Sequence, residues 1–171
     1  MKKAGKKNAY IPRVLMMVLT TILIGVIVAI MLVVGQIQGT ARVVNYAGLV
    51  RGETQRIIKL ENASLPQDGM IDDVTSFIAG LRFGSKELQL VRLNDVNFQN
   101  KMAELSDEFE TLKKEIQLVR TVGYHQTDII QQSENFFAIC DEATSLAAAY
   151  SQRRATILSY LENVAVADIV T

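Results

Sequence analysis

The chain has 171 residues, of which 49% are hydrophobic and 21% charged, and its formal net charge is zero. Five positive charges lie within the first 13 residues, so the remaining 13 basic residues face all 18 acids. This composition argues against a disordered chain and against a basic surface for nucleic acid, and we expect no nucleic-acid partner.

An uncharged apolar stretch at residues 14–35 is the first element along the chain. Its 22 positions are enough to cross a bilayer core. A cleaved signal peptide would have a shorter apolar region and a small-residue cleavage site. Basic residues before the stretch favour a cytoplasmic N-terminus. We therefore predict a cytoplasmic segment at 1–13, a transmembrane helix at 14–35 in the lipid bilayer of the inner membrane, and an extracytoplasmic part at 36–171.

The extracytoplasmic part begins with two predicted helices. The first continues from the membrane over about residues 36–62 and is ended by Pro66 and Gly69. The second covers about residues 70–81 and ends near Gly80 to Gly84. The following segment, residues 85–95, is compatible with either a helical turn or a loop.

Two longer helices complete the chain, each with apolar residues at alternating spacings of three and four. On the third helix these residues are Phe98, Met102, Leu105, Phe109, Leu112, Ile116 and Val119. Gly123 ends that helix. On the last helix the series is Ile129, Ser133, Phe136, Cys140, Ala143, Ala147, Tyr150, Arg154, Ile157 and Leu161.

Four helices with short connections predict an all-α fold, an antiparallel up-down-up-down four-helix bundle. Its first helix would continue directly from the transmembrane helix. Because that helix leaves the membrane, the fourth helix should return to it. We therefore expect a second transmembrane helix and an output module after residue 171, which would make this chain the N-terminal piece of a longer protein.

The first extracytoplasmic helix carries two neighbouring series of residues at these spacings. The inner series is typical of packing within one bundle: Val43, Ala47, Val50, Thr54 and Ile57. The outer series is less apolar: Ile37, Ala41, Val44, Gly48, Arg51, Gln55 and Ile58. Two series on one helix indicate two partners, its own bundle and a second copy of the chain, so we predict a homodimer.

Arg51 and Gln55 occupy positions of the outer series where a helix interface would favour leucine. Gly48 and Gly52 remove bulk beside them, although each glycine costs about 1 kcal/mol in a helix interior. In a symmetric dimer two Arg51 side chains would face each other, and a small oxyanion between them would relieve the repulsion. Asn45 would add a hydrogen bond. The alternative is a solvated arginine beside glycines that serve close packing alone.

The segment VNYAGLVRGETQRI resembles the first periplasmic helix of the nitrate/nitrite sensor histidine kinases and of type IV pili chemoreceptor N-terminal domains. The shared pattern is Asn45-x-Ala47-Gly48-x-x-Arg51, with Arg56 five residues later. In the nitrate sensors the arginine matching Arg51 binds nitrate at the dimer interface. The resemblance therefore implies a small anionic ligand, such as nitrate or a related oxyanion. The predicted ligand-binding residues are Arg51, Gly48, Gln55, Asn45, Gly52 and Arg56.

The chain is also similar to sensor regions of bacterial membrane signalling proteins with the patterns NYAG-VRG-TQR--KLE and GS-EL-LVRL-D--F. The second pattern falls here on residues 84–98. Such regions precede diguanylate cyclase, histidine kinase and other output modules. Gly52 and Glu53 depart from the nitrate-sensor pattern, which leaves the identity of the anion open, and Glu53 is itself a candidate partner for Arg51.

The predicted function is the ligand-sensing region of a dimeric bacterial transmembrane receptor. The alternative is a structural or partner-binding bundle without a small-molecule ligand. Cys140 is the single cysteine, so no disulfide within the chain is expected. We predict no metal, no cofactor and no enzymatic activity for these residues, because the sequence contains no phosphate-binding loop, catalytic triad or metal-ligand cluster.

Overall fold

A computed structural model describes residues 10–170, and these residues form four α-helices and one short 3-10 helix. The α-helices are α1 (Tyr10–Asn62), α2 (Asp68–Phe83), α3 (Val96–Val122) and α4 (Ile129–Val170), with the 3-10 helix at Tyr124–Gln126. The all-α prediction is confirmed for this part of the chain. The lysines of the predicted cytoplasmic segment lie outside the described residues.

The apolar stretch at residues 14–35 belongs to α1, which continues without a break into the predicted first extracytoplasmic helix. Within residues 10–170, α1 is the one helix long and apolar enough to cross a membrane. Within the stretch 14–35 the apolar side chains are not buried by the described residues, and Met16 and Met17, for example, are each 71% exposed.

The chain divides into two compact units. One contains the N-terminal residues up to Ile37 together with the C-terminal residues from Gln152, and the other is Gln38–Ser151. The hydrophobic core belongs to the second unit. All seven predicted positions on α3 are buried there, and so are all five positions of the inner series on α1. The predicted series on α4 is buried as far as Ala147, whereas Ile157, in the other unit, is 46% exposed.

Contacts between α3 and α4 run in opposite order along the two helices. Between α3 and α4 the ion pair joins Lys101 to Glu142, the aromatic contact joins Phe109 to Phe136, and a hydrogen bond joins Glu115 to Asp128. The rings of Tyr46 on α1 and Phe77 on α2 meet edge to face with centroids 5.1 Å apart. Residue numbers on α4 therefore fall as those on α3 rise.

The segment 84–95 is a loop rather than a helical turn. Ser85 and Leu90 exchange two backbone hydrogen bonds of 2.9 and 2.8 Å, which close a tight turn between them. Gly84 begins the loop with a φ of +84°, a conformation that favours glycine. Asp95 ends it by accepting a 3.0 Å hydrogen bond from the Phe98 N–H, which caps α3.

Candidate functional site

Arg51 lies on α1 against α4. Its Nε is 2.9 Å from Asp141 Oδ1, and its guanidinium carbon is 5.5 Å from the centre of the Phe137 ring. The Nε–H does not point at the carboxylate well enough for a hydrogen bond, so the contact is ionic only. The side chain of Asp141 is 63% exposed. Ion pairs of this kind contribute about 1 kcal/mol or less, and the carboxylate is therefore a weakly held partner.

Two buried polar atoms in this part of α1 are unsatisfied. Among the described residues, Arg51 Nε and Thr54 Oγ1 are the buried side-chain nitrogen and oxygen atoms without a hydrogen-bond partner. Thr54 is fully buried and lies one helical turn beyond Arg51. Leaving such a group unpaired costs about 1–3 kcal/mol. Buried polar groups are otherwise paired in folded proteins, so this turn of α1 departs from the rule.

Gly48 and Gly52 lie on the open side of the same turns. A Cβ atom added at either position would have no neighbouring atom within 4 Å. By contrast, a Cβ at Gly39 or Gly80 would meet other side chains at 3.0 and 2.9 Å. Gly39 and Gly80 are therefore explained by packing within the chain, and Gly48 and Gly52 are not.

The remaining predicted site residues are exposed on α1. Asn45 and Gln55 lie at the surface, and Arg56, with a side chain 66% exposed, has Nη1 at 3.9 Å from Glu53 Oε2. Glu53 therefore lies beside Arg56, and the carboxylate beside Arg51 is that of Asp141. These residues lie on neighbouring turns of one helix. Along the outer series Val44 is partly exposed, Gly48 and Gln55 are exposed, and Ile58 is buried.

No family model, no curated protein and no solved structure matches this chain. Arg51 and the residues around it are therefore the candidate site of this chain. Asp141 and Phe137 were missed by sequence reasoning, because the pairing of α1 with α4 depends on a register that neither helix encodes alone. The signal that was available is the arginine itself, at a position of the outer series where a helix interface would favour leucine.

A second charged cluster joins α1, α2 and α3. Arg120 Nε lies 3.1 Å from Glu61 Oε2, and its Nη1 lies 2.7 Å from Asp68 Oδ1. The hydrogen bond to Glu61 raises the pKa of Arg120, against an opposing effect of burial. A cavity of about 430 Å³ adjoins the cluster. Because two carboxylates already occupy the guanidinium, we interpret this cluster as a structural clamp.

Proposed function

We propose that this chain is the sensor region of a dimeric bacterial transmembrane receptor, and that it binds a small anion at the dimer interface through Arg51. The N-terminus would be cytoplasmic, and α1 would cross the inner membrane. The residues from about 36 onward would be extracytoplasmic and would form an antiparallel up-down-up-down four-helix bundle. The opposite order of the contacts between α3 and α4 supports this arrangement.

The observation that carries the proposal is the unsatisfied turn at Arg51 and Thr54, flanked by Gly48 and Gly52. The two glycines weaken the helix, yet within the described part of the chain no atom lies within 4 Å of where their Cβ atoms would be. A second α1 packed on this face would use it. The guanidinium would then have donors available for an oxyanion, because Asp141 makes only an ionic contact with Nε.

A ligand shifts a conformational equilibrium only if it binds the two states unequally. In this dimer the close approach of two α1 helices brings two guanidiniums together, and their repulsion opposes it. An anion between them stabilises the close state and leaves the separated state unchanged. The ligand would therefore control the approach of the two α1 helices, and α4 would carry the change toward an output module.

The test is thermal unfolding of the full chain in detergent with a panel of oxyanions and small carboxylates. A ligand at 100 times its dissociation constant adds about 2.7 kcal/mol of stability. For a domain of this size that corresponds to a shift in melting temperature of roughly 5–10 °C. We expect a shift with one anion in the native chain and its loss in Arg51→Ala. Arg42→Ala, an exposed arginine of the same helix, is the matched control and should keep the shift.

Asp141→Asn tests whether the Asp141 carboxylate competes with the anion for the Arg51 guanidinium. If Asp141 competes with the ligand, this variant should bind the anion more tightly than the native chain. Unchanged melting temperatures with every anion, in native chain shown to be dimeric and in Asp141→Asn, would refute anion binding.

The alternative is a bundle that holds two subunits together without a ligand. The contacts of Arg51 with Asp141 and Phe137 favour it, because they neutralise and cover the guanidinium within one chain. This alternative predicts a dimer whose stability does not respond to anions and falls in Asp141→Asn. The same panel of melting curves therefore distinguishes the two functions.

A further inference from the structure

The cavity of about 430 Å³ beside Arg120 opens at one end of the second unit, between the last turns of α1 and α3. Its wall includes Glu61, Ser64, Pro66, Val119, Arg120 and Tyr124. All of these residues belong to the second unit, so the cavity lies wholly within it. Pockets for small organic ligands have volumes of about 300–1,000 Å³. The cavity is therefore large enough for a small metabolite.

Three charged side chains meet at this cavity. Glu61 and Arg120 line it, with side chains 2% and 22% exposed, and Asp68 contacts Arg120 from the first turn of α2. One positive and two negative charges give a net charge of −1. A simple anion would add to the negative charge, and a simple cation would be repelled by the guanidinium. A ligand that carries both charges avoids both repulsions.

The two carboxylates hold Arg120 with different strength. Buried Glu61 accepts hydrogen bonds from Nε and Nη2 of the guanidinium. Asp68 Oδ1 lies 2.7 Å from Nη1, but its side chain is 75% exposed, and such an ion pair contributes about 1 kcal/mol or less. The guanidinium fork matches the geometry of a carboxylate. Asp68 is therefore the partner that a ligand carboxylate can replace, while Glu61 keeps Arg120 in place.

Ser64 lines the cavity in a backbone conformation that favours glycine. Its φ is +58°, and among the described residues Gln89 is the one other non-glycine residue with a positive φ. The Ser64 N–H donates to the Glu61 carbonyl at 3.0 Å, and the Leu65 N–H donates to the Leu60 carbonyl at 2.9 Å. These two bonds form a helix ending at which glycine is the usual residue. Serine adopts this conformation at a cost of about 1–2 kcal/mol, and it adds a hydroxyl-bearing side chain to the cavity wall.

We propose that this cavity binds a free α-amino acid. The ligand carboxylate would replace Asp68 on Arg120 Nη1 and accept a hydrogen bond from the Ser64 hydroxyl. The ligand ammonium would pair with the released Asp68 carboxylate. The ligand side chain would pack on the apolar part of the wall, which Pro66 and Val119 provide.

This inference goes beyond the proposed function and does not rest on it. Arg51 precedes Glu61 by ten residues on α1, a distance of about 15 Å along the helix. The proposed anion site lies between two chains, whereas the cavity lies within one. A neutral sugar is the competing occupant, since its hydroxyl groups would also find polar partners here. A sugar has no charge with which to displace Asp68, so it would leave both ion pairs of Arg120 intact.

Equilibrium dialysis of the full chain in detergent against radiolabelled L-amino acids measures binding directly. We expect saturable binding of at least one amino acid. Analogues of that amino acid without the ammonium group or without the carboxylate should bind at least about tenfold more weakly, because each loses a charged hydrogen-bonding group. Absence of binding for the whole panel would overturn the proposal. So would equal affinity of the carboxylic-acid analogue, or binding of glucose and galactose instead of amino acids.

Ser64→Gly separates a role in binding from a role in the fold. Glycine suits the backbone at this position, so the melting temperature should not fall. Loss of the hydroxyl should weaken amino-acid binding by about threefold to tenfold. Gln89→Gly is the matched control, because it makes the same kind of change at a positive φ outside the cavity wall and should leave the affinity unchanged. Equal affinities of the native chain and Ser64→Gly would refute the position of the ligand carboxylate.

Asp68→Asn tests the exchange of carboxylates on Arg120. The analogue without an ammonium group should bind this variant more tightly than the native chain, because its carboxylate no longer competes with that of Asp68. The preference for the amino acid over this analogue should fall by about tenfold, because the ammonium has lost its partner. Asp72→Asn, an exposed acid on the next turn of α2, is the matched control and should keep the preference. An undiminished preference in Asp68→Asn would refute the exchange.

Arg51→Ala distinguishes the cavity from the proposed anion site. Amino-acid binding should be unchanged in this variant, because Arg51 does not line the cavity. Loss of amino-acid binding in Arg51→Ala would overturn the cavity as the site. Absence of amino-acid binding in the native chain would leave the proposed function standing, since the melting curves with oxyanions test that function separately.

Discussion

Removing Glu61 should destabilise the chain far more than removing Asp68, although both carboxylates contact Arg120. The Glu61 side chain is 2% exposed and the Asp68 side chain is 75% exposed. Breaking a buried ion pair from one side costs about 3–5 kcal/mol, because it leaves a buried charge without its partner. Arg120 is 22% exposed and keeps Asp68, so we expect about 3 kcal/mol for Glu61→Leu. Asp68→Asn should cost about 0.5 kcal/mol.

Urea unfolding of the full chain in detergent, followed by circular dichroism at the helical band, measures these differences. With a denaturant slope of about 2 kcal/mol per molar, Glu61→Leu should lower the midpoint by about 1.5 M. The double variant Glu61→Leu with Arg120→Met replaces the pair by apolar groups and should recover most of that loss. Equal midpoints for Glu61→Leu and Asp68→Asn, or no recovery in the double variant, would refute the clamp.

Three further predictions concern glycines and the single cysteine. Gly48→Ala should stabilise the monomer by up to about 1 kcal/mol, measured by thermal melting, because alanine favours a helix over glycine. The same variant should weaken the dimer, measured by sedimentation equilibrium. A stronger dimer would contradict the predicted interface. Gly80→Ala should give less stability than Gly69→Ala, because a Cβ at Gly80 would meet Leu90 Cδ1 at 2.9 Å, whereas a Cβ at Gly69 has no described atom within 4 Å. Equal gains in melting temperature would contradict the loop packing. Burial, with a smaller contribution from Asp141, raises the pKa of Cys140 to about 12. As the pH rises, the thiol loses its proton in the unfolded chain before it does in the folded chain. The free energy of unfolding should therefore fall above about pH 9, by about 1.4 kcal/mol at pH 10. Cys140→Ala should lack this fall.

The helices and their buried faces were predictable because they follow from spacing along one chain segment. The series on α3 that includes Phe98 and Phe109 needed no knowledge of the other helices, and each of its positions is buried. The limit appears on α4, where the same spacing continues to Ile157 although burial ends near Ala147. Spacing shows which residues share a face, but it does not show whether another element covers that face.

The ion pairs were not predictable because they depend on the register between helices. Arg120 and Glu61 are 59 positions apart, and their contact follows from the lengths of the connections and the rotation of each helix. The predicted outer series on α1 identified Arg51 as unusual, and in the structure Arg51 Nε is a buried atom without a hydrogen-bond partner. The carboxylate beside Arg51 is that of Asp141 on α4, and the sequence does not show the register of α4 against α1. Anion binding and the dimer stay predictions.

Within the second unit, the continuity of α1 from Gln38 to Asn62 ties the angular phase of Arg51 to that of Gly39. In an α-helix each residue advances the side chains by about 100° around the axis. One residue inserted between Gly39 and Arg51 would turn the Arg51 face by about 100° against Gly39, whereas seven inserted residues would leave a difference of only about 20°. The packing of Gly39 on Val91 and the proposed anion site at Arg51 therefore depend on the number of residues between them.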